Sequence, residues 1–257
     1  MAQADNKPTL HSLLDSHVHL AEPRLRDNLA TELSLAREVG VNAFLSCALN
    51  RAEYDWHRDA DIDGMRWVAG IHPHWEHSSP DDLPHLESLC ESGLVAGIGE
   101  VGLDRRGDIE AQRPLLDRQL GLALDFDLPV VLHCVRAWPE LLGLLKRRFP
   151  KVHGMLHGFN APVATLEPFF ALDLAISLGG GVTSRPDASQ VVRRVLRHGR
   201  VLLETDAPWQ LPRWLDDDYN RPAHLALIAQ KVATLGGVSY EQLCAMQHAT
   251  ARELGFA

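Results

Sequence analysis

Two histidines one residue apart, His17 and His19, stand at the end of a short apolar run near the start of the chain. In an extended strand alternate side chains project from the same face, so Asp15, His17 and His19 are expected to lie on one side. Two neighbouring imidazoles provide nitrogen ligands of the kind that divalent transition metals prefer. The segment therefore indicates half of a metal site, although by itself it is equally compatible with a chance surface pair.

Four further potential metal ligands occur singly along the chain. Each ends or directly follows its own short hydrophobic run, and they are Glu100, His133, His157 and Asp206. Chance does not readily produce this repeated placement. The sequence thus contains four imidazoles and two carboxylates that a fold can bring together if the ends of these runs meet at one edge.

The order of the predicted elements provides such an edge. Eight β-like runs cover residues 12–17, 43–48, 67–72, 95–100, 129–133, 154–157, 174–178 and 201–205. Helical patterns between and after them include residues 24–39, 109–126, 138–149, 162–171, 188–198, 223–235 and 239–254, the last with Ser239 as its N-cap.

This alternation, without a linker, predicts one α/β domain over residues 12–257: a (β/α)8 TIM barrel with an extra C-terminal helix, preceded by a short polar extension at residues 1–11. In such barrels the catalytic groups gather at the C-terminal ends of the strands, where the six ligands would meet. An open doubly wound sheet is the second possibility, but the chain has no Gly-x-Gly-x-x-Gly turn after its first strand.

Six ligands exceed the number that one hydrolytic ion uses while it keeps a position open for water. Two divalent ions bridged by a carboxylate account for them better. Such a pair, about 3.5–4 Å apart, lowers the pKa of a bridging water and orients the substrate. Zn, Mn, Mg and Ni all suit the site, and the sequence leaves the identity of the metals open. The predicted reaction is hydrolysis.

The composition limits the possible partners and location. The chain has 257 residues and a formal charge of −9, which argues against a protein that coats nucleic acid with a basic face, but not against a pocket for one strand end. The N-terminal segment is polar, which argues against a secretion signal. No apolar run reaches about 18 residues, which argues against a membrane span. We therefore expect a cytoplasmic protein.

Seven short motifs follow one another from about residue 14 to the C-terminal part of the chain. They are HVH at 17–19, GIHPH at 70–74, GIGEVGLD at 97–104, VVLHC at 130–134, LHGF at 156–159, LETDAP at 203–208 and NRP at 220–222. In this order they resemble the TatD family of metal-dependent hydrolases, which are amidohydrolase-like metallo-barrels. The family includes deoxyribonucleases that act as 3′ to 5′ exonucleases on single strands and damaged ends, and some relatives remove D-amino acids from tRNA.

The resemblance implies a role for each of the six ligands. One metal would be held by His17, His19 and Asp206, the other by His133 and His157, with Glu100 bridging the two. Asp206 would also accept the proton of the attacking water, which requires a carboxylate within hydrogen-bond reach. Glu100 and Asp206 are therefore the predicted catalytic carboxylates.

Five more residues are candidates for substrate contact or for orienting the ligands. His72 precedes a proline and is predicted to contact substrate or support the site, rather than to be a primary ligand. Glu204 and Asp15 each lie two residues before a ligand, where an orienting role and a purely structural one weigh equally. Arg136 suits an anionic substrate, although the family arginine usually stands where this chain has a valine. Trp209 is placed to stack on an unpaired base or to pack a loop.

Three functions follow from this reading. The leading hypothesis is a deoxyribonuclease that removes nucleotides from DNA ends in the 3′ to 5′ direction. The second is a D-aminoacyl-tRNA deacylase or a small ester or amide hydrolase, because the same centre can attack a carbonyl carbon. The third is a catalytic subunit of a bacterial defence or nucleic-acid processing complex, in which the acidic surface would suit a basic protein partner. The oligomeric state is left open.

Overall fold

The computed structural model describes residues 12–74 and 78–257, so the extension predicted for residues 1–11 lies outside the described residues. Its eight strands form one parallel sheet in sequential order. They are β1 Leu13–Val18, β2 Val41–Ala48, β3 Met65–Ala69, β4 Ile98–Asp104, β5 Val130–Val135, β6 Gly154–Leu156, β7 Leu174–Leu178 and β8 Val201–Leu203.

The first and last strands meet and bring the sheet close to a complete ring. The hydroxyl of Ser16 donates to the carbonyl of Leu203 at 2.9 Å, and the backbone N–H of Asp206 donates to the carbonyl of His17 at 2.9 Å. The predicted (β/α)8 barrel is confirmed. The second possibility, an open doubly wound sheet, is wrong, because sequential strand order in a curling parallel sheet leaves no reversal point.

The described helices surround this barrel. They are α1 Pro23–Arg26, α2 Leu29–Glu38, α3 Arg51–Asp59, α4 Leu83–Ser92, α5 Ile109–Asp125, α6 Trp138–Arg148, α7 Gly180–Thr183, α8 Ala188–His198, α9 Leu225–Gly236 and α10 Tyr240–Glu253. None of the helices in the described part of the chain combines the length and the hydropathy needed to cross a bilayer.

Two helix predictions need correction. The pattern over residues 24–39 forms α1 and α2, separated by Asp27 and Asn28. The helix predicted at residues 162–171 is wrong, since that segment contains only a 3-10 turn at Val163–Thr165. Leu166 and Phe169 produced the helical spacing, and both are buried. Two apolar residues three positions apart can also both be buried when the chain forms consecutive turns. The spacing of Leu166 and Phe169 therefore did not require an α-helix.

Strand β4 extends further than predicted. The prediction ended it at Glu100, where the apolar run stops, but the strand continues to Asp104. Val101 and Leu103 belong to the apolar layer between strands and helices, so the alternation of the strand persists while polar side chains occupy its other face. Gly102 permits close contact with β5, because a Cβ atom there would lie 1.8 Å from the carbonyl oxygen of His133.

The interior of the barrel is apolar on the side opposite the predicted site. A separate core cluster extends from there up to the predicted site, which Cys47 and Leu49 adjoin; it is formed by Leu14, Leu45, Cys47, Leu49, Val68, Val131, Met155, Ala175, Leu202, Ala251, Leu254 and Phe256. The last three belong to the C-terminal segment. Helix α10 begins after Ser239, whose hydroxyl accepts from the N–H of Gln242, so the predicted N-cap is confirmed. The ring of His248 bonds the carbonyl of Ser12 at 2.6 Å, which places this helix below the start of β1.

Candidate metal centre

The six residues predicted as metal ligands meet at the C-terminal end of the barrel. All are buried, with no more than 8% of any residue exposed: His17, His19, Glu100, His133, His157 and Asp206. They come from β1, β4, β5 and the segments that directly follow β1, β6 and β8. Parallel strands bring residues distant in sequence to this one edge.

One half of the cluster is formed by His17, His19 and Asp206. The two Nε2 atoms of the histidines lie 3.1 Å apart, and Oδ1 of Asp206 lies 3.2 Å from Nε2 of His19 and 3.5 Å from Nε2 of His17. Asp206 has a φ of 59°, a left-handed conformation that Asp adopts more readily than most residues. Three ligand atoms therefore converge on one point.

The other half is formed by His133 and His157 around the carboxylate of Glu100. Oε1 of Glu100 lies 2.5 Å from Nδ1 of His133 and 2.7 Å from Nε2 of His157. Its second oxygen, Oε2, lies 3.4 Å from Nε2 of His17 and 3.7 Å from Nε2 of His19. The two oxygens of one carboxylate are thus divided between the two halves of the cluster.

The far side of three of these imidazoles faces a supporting group. Nδ1 of His17 is 3.2 Å from Sγ of Cys47, Nε2 of His133 is 3.0 Å from Oδ2 of Asp104, and Nδ1 of His157 is 3.7 Å from Oε1 of Glu204. A proton on each outer nitrogen leaves the inner nitrogen with its lone pair. Lone pairs of nitrogen and carboxylate oxygen then point at one another, an arrangement that divalent cations stabilise. The donor set therefore fits divalent metal ions.

The charge state of the carboxylates agrees with this fit. Burial would raise the pKa of Glu100, but the surrounding imidazoles outweigh it and hold the pKa well below its usual range. When protons rather than metal ions occupy the inner nitrogens, burial likewise opposes ionisation of Asp206, while the hydrogen bond from His19 and the charge of nearby histidines lower its pKa. Both carboxylates are therefore ionised at neutral pH and able to ligate cations.

Three supporting residues, Asp104, Arg106 and Cys47, were not predicted as part of the site. Asp104 bonds the ring of His133, and Arg106 donates to Asp104 through Nε at 3.0 and 2.9 Å and through Nη2. A signal for Asp104 was present, because it follows Glu100 by four residues and so shares its face of β4. Cys47 lacked such a signal, since its relation to His17 is a contact between different strands.

Of the five accessory residues, His72, Trp209 and Glu204 lie at the cluster. Nδ1 of His72 accepts a hydrogen bond from the N–H of His74 at 3.0 Å, so Nε2 carries the ring proton, 3.4 Å from Oε1 of Glu100. The ring of Trp209 meets that of His19 edge to face at 4.6 Å. Besides facing His157, Glu204 accepts a hydrogen bond from the N–H of Gly158 at 2.6 Å.

Asp15 and Arg136 lie elsewhere. The carboxyl of Asp15 bonds the N–H and the hydroxyl of Thr205 at 2.9 and 2.5 Å, so it joins β1 to the segment before Asp206 and reaches no imidazole ring of the cluster. Burial raises the pKa of Asp15 to about 8. The side chain of Arg136 is exposed and does not line the cavity above the cluster; the arginine that does is Arg106.

A cavity of about 340 Å³ opens above the cluster. Its walls are formed by His19, Leu49, His72, His74, Glu100, Arg106, His133, Asp206, Trp209 and Gln210. Because the apolar barrel core lies beneath the cluster, a substrate can approach only from the rim. This volume falls within the usual range of about 300–1,000 Å³ for small-ligand sites.

A family model described as TatD related DNase matches residues 14–254. The chain belongs to the TatD family. A TatD relative from Erwinia amylovora, named 3′-5′ ssDNA/RNA exonuclease TatD, is 32% identical over 266 residues that cover 94% of this chain and 99% of the relative. YjjV from Escherichia coli K12, named an uncharacterized metal-dependent hydrolase, is 31% identical over 224 residues, covering 84% of this chain and 86% of YjjV.

Solved TatD structures agree with the barrel. The crystal structure of YjjV, a TatD homologue from Escherichia coli K12, superposes with a TM-score of 0.89 at 27% identity and covers 96% of this chain and 98% of YjjV. A TatD-family hydrolase from Entamoeba histolytica has a TM-score of 0.80 at 16% identity, over 95% of this chain and 98% of its own, which shows the shared fold. This TatD protein is thus a metal-dependent hydrolase, as predicted.

Proposed function

We propose that this hydrolase is a 3′ to 5′ exonuclease that removes nucleotides from the ends of single-stranded DNA. The observation that carries the proposal is the carboxylate of Glu100, whose two oxygens face two separate groups of histidines. That division is the arrangement expected of a bridging ligand between two ions, and paired ions are typical of enzymes that cleave phosphodiesters. The name of the Erwinia amylovora relative, an ssDNA/RNA exonuclease, supports the same substrate class.

The residues present fit two ion positions. His17, His19 and Asp206 would hold one ion, His133 and His157 the other, and Glu100 would reach both. Divalent ions bound there supply Lewis acidity: they lower the pKa of a water and neutralise the charge of the phosphate. The imidazole and carboxylate donors suit Zn, Mn, Ni or Mg.

Two side chains on the cavity wall can handle protons and charge. Asp206 is ionised and lines the cavity, so it can accept a proton from the attacking water. His72 presents its Nε2 proton to the cluster, because its other nitrogen is occupied by the N–H of His74. That proton is placed to donate to an oxygen of the phosphate as negative charge increases there.

The shape of the cavity favours an end of a strand over its middle. The apolar core beneath the cluster blocks passage through the barrel, so a strand inserted between the rim loops must stop at the cluster. Trp209 lies beside His19 on the wall, with the guanidinium of Arg24 5.7 Å from its ring centre, and a terminal base that stacks on this indole would share it with those side chains. Stacking of this kind contributes about 1–3 kcal/mol per base and is tolerant of sequence.

The test is degradation of single-stranded DNA labelled at either its 3′ or its 5′ end. Metal-stripped protein is resupplied with Mg, Mn or Zn beside the variants Glu100→Gln and Asp206→Asn, with Asp125→Asn, an exposed change at the end of α5, as the control. We expect immediate release of the 3′ label as mononucleotide and a ladder from the 5′-labelled strand, both lost in the two site variants and kept in the control.

Other outcomes would contradict the proposal. Internal fragments from both labels would indicate an endonuclease. Intact DNA under every metal, combined with hydrolysis of a D-aminoacyl-tRNA or a small ester, would favour the deacylase or esterase alternative. DNA that stays intact with this protein alone but is degraded once a co-expressed partner is added would favour the third alternative, a subunit of a larger complex.

A further inference from the structure

Arg106 is the one lysine or arginine among the described residues that line the cavity. The chain carries a formal charge of −9, and the rest of the cavity wall includes two ionised carboxylates, Glu100 and Asp206. Apart from the ions that the cluster would hold, an anionic substrate therefore meets a guanidinium or ammonium group at only one described place on this wall. The neighbouring Arg105 does not line the cavity: it is bonded to the carbonyl of Arg136 and to the carboxylate of Glu140.

The guanidinium of Arg106 is held in place with one of its nitrogens still available. Nε and Nη2 both donate to Asp104, whose side chain is fully buried, while the side chain of Arg106 is 56% exposed. Nη1 donates no hydrogen bond to any group in residues 12–74 and 78–257. The planar guanidinium is thus fixed by Nε and Nη2, and the N–H groups of Nη1 remain as donors for a second anion. The oxygens of a phosphate are suitable acceptors for such donors.

The position of Arg106 relative to the cluster indicates which phosphate it can reach. His133 faces Glu100 with Nδ1 and faces Asp104 with Nε2, so Asp104 lies behind the imidazole as seen from the cluster. Arg106 in turn bonds Asp104. The side chain of Asp104 therefore stands between the guanidinium and the ligand His133. A phosphate bound at the cluster leaves the guanidinium available for the next phosphate along the strand.

We propose that Nη1 of Arg106 binds the phosphate that follows the scissile one, the second linkage from the 3′ end, and so selects a strand with at least two phosphates. This inference rests on the proposed exonuclease function, because it assumes that the scissile phosphate lies at the cluster. Arg106 acts in specificity, since it contacts the substrate away from the reacting atoms.

The experiment pairs protein variants with a chemically neutral linkage. Arg106→Gln, Arg106→Lys and the matched control Arg105→Gln are compared with wild type on two oligonucleotides, one natural and one with a methylphosphonate at the second linkage from the 3′ end. On natural DNA we expect Arg106→Gln to raise KM about ten- to a hundredfold, with smaller effects on kcat and on metal content, which Asp104 still supports through its bond to His133. We expect Arg106→Lys to recover part of the loss and Arg105→Gln to resemble wild type.

The methylphosphonate decides whether that phosphate is the group bound. If it is, the neutral linkage raises the KM of wild type by a similar factor, and Arg106→Gln then adds no more than about twofold. The proposal is overturned if the two effects multiply, if KM is unchanged in Arg106→Gln, or if Arg105→Gln loses as much affinity.

Binding of the same labelled oligonucleotides to metal-stripped protein, followed by fluorescence anisotropy, separates this inference from the proposed function. Wild type that binds DNA through Arg106 but never cleaves it would refute the exonuclease and leave the phosphate contact supported. Cleavage that is indifferent to Arg106 would refute the contact alone. Wild type that neither binds nor cleaves DNA would refute both.

Discussion

Asp104 accepts a hydrogen bond from Nε2 of His133 at 3.0 Å, on the edge of the imidazole opposite to Glu100. Burial alone would raise the pKa of Asp104, but the hydrogen bonds from His133 and Arg106 outweigh it and hold the pKa below its usual range. An ionised carboxylate here keeps the proton on Nε2 and leaves the lone pair of Nδ1 for the cluster. Asp104 is thus a positioning residue for His133.

Asp104→Asn should therefore weaken the site. An amide can donate to Nε2 as well as accept from it, so the imidazole is no longer confined to one tautomer. We expect metal affinity and turnover to fall about 10- to 100-fold while the protein stays folded. Chelator competition and turnover assays measure this, with Asp125→Asn as the matched control. Full metal affinity in Asp104→Asn would show that the contact does not position the ligand.

Cys47 provides the corresponding contact for His17, with Sγ 3.2 Å from Nδ1. Burial raises the pKa of the Cys47 thiol well above its usual range, so the sulfur is neutral and accepts only weakly. We expect Cys47→Ala to reduce metal affinity about tenfold, because Nδ1 of His17 loses its partner, and Cys47→Ser to retain more of it. Titration of the metal-stripped variants with cobalt, followed by absorption, measures this affinity. The spectrum of the bound cobalt also reports a change in its ligands, His17 among them.

Cys47→Ala also leaves a small cavity, which could destabilise the protein by itself. Cys90→Ala, a buried substitution in α4 away from the cluster, is the control for that effect. If Cys90→Ala alters the cobalt spectrum as much as Cys47→Ala does, the effect on His17 is general destabilisation. Unaltered spectra in all three variants would contradict the prediction as well.

The buried ring of His57 makes stability depend on pH. Nδ1 donates to the carbonyl of Glu53 at 2.8 Å and Nε2 accepts from the hydroxyl of Ser46 at 2.7 Å, while burial lowers the pKa of His57 to about 4. Between pH 4 and 6.5 the His57 ring binds a proton in the unfolded chain but not in the folded one. The free energy of unfolding therefore rises with pH across this range, and the contribution of His57 is lost on acidification. The upper limit of this contribution is about 3 kcal/mol.

We expect His57→Gln to flatten that dependence. Urea unfolding of metal-stripped protein from pH 4.5 to 7.5 measures it, with His153→Gln, at a partly exposed position, as the control. The free energy of unfolding of His57→Gln should fall less steeply on acidification than that of wild type or the control. Parallel curves for all three proteins would mean that other groups carry the pH dependence.

Glu32 and Arg221 connect helix α2 to the segment that follows Asp206 and Trp209. The guanidinium of Arg221 and the hydroxyl of Tyr219 both donate to Oε1 of Glu32, which is 1% exposed. We expect Arg221→Met to destabilise the protein by roughly 3 kcal/mol, because it leaves a buried carboxylate without its cation. Adding Glu32→Gln should restore most of the loss, as denaturant unfolding of the single and double variants will show. Additive losses in the double variant would contradict this coupling.

Much of the architecture was accessible from the sequence because its signals are local. The eight strands were predicted in the correct order, and the helix at residues 188–198 was predicted with its observed bounds. The failures occurred where local pattern and tertiary packing diverge. Residues 162–171 have helical spacing but form turns, and β4 continues past Glu100 because its alternation resumes beyond the carboxylate.

The sequence by itself determined which side chains form the cluster, because each potential ligand lies at the end of a strand pattern and a parallel barrel brings such ends together. The tertiary structure decided which atoms of those side chains face one another. It divides the two oxygens of Glu100 between two groups of histidines, and it places Cys47 against His17 and Asp104 against His133. It also places Arg106 rather than Arg136 on the cavity wall. These depend on rotamers and on distances between different strands. No spacing along the chain encodes them.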